Sequence, residues 1–89
     1  MTRLGELISL IVSAKDEKII EDFLLGITTE KERHEILQRV EIVKRLLRGD
    51  PHQRIAKELG VGVATVTRGS KELSKGRFKL LRNQKKDSD

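Results

Sequence analysis

An arginine and a glycine stand where a helix would ordinarily present an apolar side chain. Between Thr29 and Arg48, Ile36, Val40, Ile42, Val43, Leu46 and Leu47 share one broad apolar arc at helical spacing, and Arg39 lies inside it. A charge there calls for a partner, for a ligand, or for a stem that packs while its head reaches water. Further on, the run ATVTRGSKEL turns Val66 inward and places Gly69 three residues later, where an apolar side chain would ordinarily pack. Gly inside a helix costs about 1 kcal/mol relative to Ala, so the position needs a reason. Either another backbone packs closely on Gly69, or its missing side chain opens a ligand cavity beside Arg68, flanked also by Arg39. Guanidinium planes stack on aromatic faces and make charge-assisted bonds to carboxylates.

Other chemistry is poorly supplied. The chain has no Cys, hence no disulfide and no thiolate nucleophile or ligand. Its two His, His34 and His52, form no metal motif, because His34-Glu35 lacks the second His of HExxH. No phosphate-cradling Gly loop occurs, and the carboxylates lie beside basic residues on polar faces. No catalytic residue, metal site or bound cofactor is expected, and the chain is not read as an enzyme.

Charge points to nucleic acid. Residues 1–49 hold nine basic and nine acidic side chains, while residues 50–89 hold ten and five, so the whole net charge of +5 lies in the second half. Such asymmetry is the electrostatic footprint of a nucleic-acid binder. RNA is the poorer fit, because only 2% of residues are aromatic and no stacking platform is present.

The elements that must position these groups are helices. Leu4, Leu7, Ile8 and Ile11 predict an amphipathic helix over 2–14, too short and too interrupted to span a bilayer. A second helix is expected from Asp16 to Leu25, closed by Gly26. Thr29-x-x-Glu32 is a capping box that starts a long helix running to Arg48 and Gly49. Asp50 is expected as the next N-cap, with Pro51 at the first helical position. From His52 to Leu73 the chain reads as a helix-turn-helix. Ile55, Ala56 and Leu59 form one face, Gly60 makes the turn, and Val61 and Val66 fill the angle between the helices. Ser74-Lys75-Gly76 breaks the second helix. Phe78, Leu80 and Leu81 dock a short final turn, no full sixth helix is expected, and residues 82–89 form a frayed basic tail. This is an all-α chain with a single domain over 1–81, placed in the cytoplasm with no membrane segment.

On the recognition helix Val63, Ala64, Thr65, Thr67, Arg68 and Lys71 are the candidates for DNA contact. The small ones allow close approach to a major groove, Val63 and Ala64 can touch a thymine methyl, and Thr67 can bond a base or a water. Few can make bidentate base contacts, so shape and water are expected to carry much of the reading. Gln53, Arg54 and Lys57 on the first helix suit phosphates. Lys75, Arg77, Lys79 and Arg82 either add phosphate contacts or solvate the tail.

The run RVEIVKRLLRGD, followed two residues later by QRIAKELGVGVATVTRGS, closely resembles the tryptophan operon repressor family, over roughly residues 24–73. The resemblance implies an intertwined homodimeric helical bundle that binds a double-stranded DNA operator, with L-tryptophan or a close analogue as corepressor. It implies that Arg39 and Arg68 sandwich the ring, that Arg68 reaches the carboxylate, and that Gly69 leaves the ring room. It also implies that backbone carbonyls around Gly26, Ile27 and Thr28 receive the ammonium. The family has Ser at the position of Glu72 and Asn at that of Lys71. Glu72 lies four residues after Arg68, so it either pairs with Arg68 or receives the ammonium itself. Two other functions stay in view: a ligand-independent regulator of the same fold, and a protein-interaction module that has lost DNA binding.

Overall fold

The computed structural model describes residues 3–87, with side chains through residue 84. The expectations for Thr2, Ser88 and Asp89 lie outside the described residues. Six helices follow one another: α1 (Arg3–Ser13), α2 (Glu17–Ile27), α3 (Glu30–Leu47), α4 (His52–Leu59), α5 (Val63–Ser74) and α6 (Lys79–Asp87). The chain falls into two compact units, residues 1–33 and 34–89, whose boundary lies within α3. Among the described residues no helix is long and apolar enough to cross a membrane.

The first unit is shaped by caps. Asp16 caps α2, its carboxylate accepting the Ile19 N–H at 3.0 Å. Gly26 does not close α2, as its position suggested. The helix continues through Gly26 and Ile27 to Thr28, whose N–H and hydroxyl both donate to the Leu24 carbonyl, at 3.1 and 2.5 Å. A hydroxyl one turn on can satisfy that carbonyl, so the left-handed glycine cap is not needed. The Thr29–Glu32 capping box forms as expected, with the Thr29 N–H donating to Glu32 at 2.8 Å and the Glu32 N–H to Thr29 Oγ1 at 3.1 Å. The bonds from the Thr29 backbone and hydroxyl hold the Glu32 carboxyl below its ordinary range.

In the second unit Ile42, Ile55, Ala56 and Val66 form the core, joined by Leu46, Leu59 and Val61. The helix-turn-helix is present, with α4 packed against α5. Its turn depends on Gly60 at φ 68° and ψ 36°, a left-handed conformation that glycine adopts without a Cβ clash. Gly60 N–H and Val61 N–H then both donate to the Ala56 carbonyl, the latter at 3.0 Å.

Two boundaries differ from the sequence reading. Asp50 is not the N-cap of α4; Pro51 takes that place, at φ −65° and ψ 145°, with no side-chain cap bond. The Asp50 carboxylate is engaged elsewhere: Oδ2 accepts from Arg45 Nε at 2.5 Å and from Arg48 Nη2 at 3.1 Å. Two guanidinium groups outbid a pair of backbone N–H groups because charge-assisted bonds are the stronger kind. At the other end, α6 continues to Asp87, where a short turn and a tail frayed from Arg82 were expected. Arg82 anchors its start, donating from Nη2 to the Leu73 carbonyl of α5 at 2.6 Å.

Candidate ligand cavity and nucleic-acid interface

The second unit contains a cavity of about 510 Å³. Helix α3 lines it with Arg39, Ile42 and Val43, and α5 lines it with Ala64, Thr65, Arg68, Gly69 and Glu72. Phe78, just before α6, completes the wall. The two anomalies of the sequence thus meet at one place. Ile42 and Val43 are each 1% exposed, so the floor is dry carbon, while Arg39 and Arg68 remain exposed. Among the described residues neither guanidinium has an ion pair. A half-apolar hollow with two uncompensated cations fits a ligand that is flat or apolar in body and carries a negative group.

Gly69 serves both of its readings in altered form. It borders the cavity, yet a Cβ added there would meet Ile42 Cγ2 and Leu46 Cδ1, each at 3.4 Å. Side chains of α3, rather than another backbone, approach it. One added carbon is at the limit of ordinary contact; the branches of Val would push α5 off α3.

Glu72 does not pair with Arg68. Its carboxylate faces the loop after α5, with Oε2 3.2 Å from Lys75 Nζ and Oε1 3.9 Å from Arg77 Nε. Lys75 and Arg77 therefore lie beside Glu72, and Arg68 stays open. Gly26 and Thr28 belong to the other unit. Gly26 and Ile27 are helical, and the Thr28 carbonyl accepts from Arg33 Nη1 at 2.7 Å.

The proposed reading surface is solvent-facing on both helices of the motif. On α4, Gln53, Arg54 and Lys57 are exposed; on α5, Val63, Ala64, Thr65, Arg68 and Lys71 are exposed and Thr67 is half-buried. Ala64, Thr65 and Arg68 belong to this surface and to the cavity wall at once. The same helix that would enter a groove is one wall of the ligand site.

Sequence reading missed three residues. Phe78 was assigned to a docking turn, and nothing in its spacing betrays a place in the cavity. Helical spacing puts Arg45 on the face of α3 away from its apolar arc, yet its side chain is only 12% exposed and bonds both Asp50 and Glu58. Those bonds raise its pKa, Asp50 first and Glu58 second. Arg82 was assigned to the tail rather than to the end of α5. For Arg45 a signal existed: Asp50 five residues on and Glu58 on the next helix are acidic residues in a basic stretch.

Comparison with known proteins gives a consistent answer. The sequence profile described as Trp repressor protein matches residues 2–83. A Trp operon repressor homolog of Vibrio parahaemolyticus is 41% identical over 86 residues, covering 89% of this chain and 84% of that protein. A homolog from Aliivibrio salmonicida is 44% identical over 70 residues, covering 78% and 65%. One from Vibrio campbellii is 44% identical over 69 residues, covering 76% and 69%.

Proposed function

The chain belongs to the Trp repressor family, and from that premise we propose that it is a homodimeric, sequence-specific DNA-binding transcriptional repressor with L-tryptophan or a close analogue as corepressor. The observation that carries this reading is the shared wall: Arg68 on the recognition helix α5 and Arg39 on α3 flank one cavity, both without an ion pair among the described residues. A ring between them gains cation–π contact on its faces, and its carboxylate gains charge-assisted bonds from Arg68. Because the ligand touches α3 and α5 together, it favours one setting of α5 against the core. It acts as a switch to the extent that it binds this setting better than others. Two recognition helices of a dimer, about 34 Å apart, would then meet successive major grooves.

The engagement of Glu72 by Lys75 and Arg77 favours the corepressor reading over a ligand-independent regulator, since Arg68 is left for the ligand. The test is duplex binding with and without L-tryptophan at fixed salt. We expect about 5- to 150-fold tighter binding with the amino acid, the usual range of such coupling. The chain has no Trp and no Tyr, so ligand fluorescence reports binding directly. Unchanged fluorescence and unchanged duplex affinity at millimolar tryptophan would leave the ligand-independent regulator. Absence of any salt-dependent duplex affinity would leave the interaction module.

A further inference from the structure

The charged end of the cavity leaves Phe78 without a role. The chain has only two aromatic residues, Phe23 and Phe78, and Phe78 is the one in the second unit. It is half-buried, and it is absent from the core cluster of Ile42, Ile55, Ala56 and Val66 and from the side chains packed on it. Its place is the cavity wall shared with Arg39, Arg68 and Glu72.

The backbone at Phe78 is unusual as well. It has φ +66°, the one non-glycine residue at positive φ among the described residues. A bulky L side chain is disfavoured there, and such a conformation persists only where neighbours over-determine it. Here they do. Before it, Gly76 N–H donates to the Leu73 carbonyl at 3.0 Å and Arg77 N–H to the Glu72 carbonyl at 3.1 Å. After it, the Phe78 carbonyl accepts from Leu81 N–H and Arg82 N–H, each at 3.1 Å. Gly or Asn would occupy this corner with less strain, so what the position gains from Phe is the ring.

We propose that Phe78 is the ring-selecting wall of the cavity. Its phenyl group meets the edge of an aromatic acid whose ring faces lie against the two arginines and whose carboxylate lies on Arg68. Aromatic pairs add affinity beyond the area they bury, and they favour offset or edge-to-face contact. This rests on the ligand reading above, and it adds a residue of the α5–α6 corner to the two arginines.

The test uses the full chain and the fluorescence of added L-tryptophan. Phe78→Leu, which keeps apolar bulk without the ring, should bind L-tryptophan about three- to tenfold more weakly. Phe78→Tyr should stay within about twofold of wild type, because it restores the ring. Phe78→Gly separates site from scaffold: it relieves the backbone, so its Tm should equal or exceed that of Phe78→Ala, while its ligand affinity falls at least as far. If Phe78→Leu binds as wild type does while Arg68→Ala loses binding, the ring wall is wrong and the ligand reading stands. If Phe78→Tyr loses as much as Phe78→Leu, the position selects shape rather than a ring and the proposal is overturned. If the wild-type chain binds no tryptophan, both readings fall.

Discussion

Helices α1 and α2 bury none of their side chains, whereas α3, α4 and α5 close over Ile42, Ile55 and Val66. The contrast is not one of composition. The first helices are rich in Leu, Ile and Val, yet Ile8 is 51%, Leu10 60% and Ile19 51% exposed. Ile55 and Val66 are both 0% exposed. Eleven-residue helices are marginal alone in water, and their stability comes from burying an amphipathic face. Helices with such exposed apolar faces suit an interface. The second unit carries its own core and the functional cavity. The first carries apolar faces that its own helices do not bury, which is the physical content of the proposed dimer.

The largest test of that contrast is to charge the exposed stripe. Ile8→Asp combined with Ile11→Asp should abolish association and lower helix content. Sedimentation equilibrium and circular dichroism together check both. A wild-type chain that sediments as a folded monomer at micromolar concentration would remove the distinction between the units.

A milder pair of substitutions sharpens it. Ile55→Ala removes a fully buried side chain from a closed core and should cost about 2–5 kcal/mol in denaturant unfolding. On the proposed dimer, with a second copy over Ile8, Ile8→Ala should cost more than about 1 kcal/mol despite its half exposure, and the Tm should rise with protein concentration. An Ile8→Ala effect within about 0.5 kcal/mol would mean that the α1 face stays in water.

What was legible in the sequence follows the range of the forces involved. The helix-turn-helix was readable because Gly60 answers to a local backbone need and Ile55, Ala56 and Val66 to a local period. The capping box at Thr29 and Glu32 spans four residues and forms as expected. Arg39 and Gly69 are readable as breaks in an apolar pattern, with Arg68 beside Gly69, and the fold brings all three to one cavity. The misses depend on contacts that no period encodes. Arg45 reaches Glu58 thirteen residues away, and Arg82 reaches back nine residues to Leu73. Phe78 escaped because positive φ at a bulky residue runs against every local preference. Helix α6 escaped because KLLRNQKKD is polar apart from two leucines, and its anchor is a carbonyl on another helix.

The smallest effect should come from Asp50, at the junction of α3 and α4, and it is read as a function of pH. Arg45 first and Arg48 second hold the Asp50 carboxyl below the ordinary carboxylate range by hydrogen bonding to its charged form. A folded-state pKa below the unfolded value of about 3.9 means that the native protein prefers the ionised group. The resulting stabilisation is fully present above that unfolded value. It is lost as pH falls through the folded pKa, where both states become protonated. Asp50→Asn keeps the shape and removes the charge. Its Tm should therefore lie below that of wild type at pH 7, and the two should converge as the pH is lowered below about 4. The gap should be modest, because Arg45 keeps Glu58 as a second carboxylate partner. A gap that persists unchanged to pH 2 would show that Asp50 acts by its shape or backbone bonds, and the ionic reading of this junction would fail.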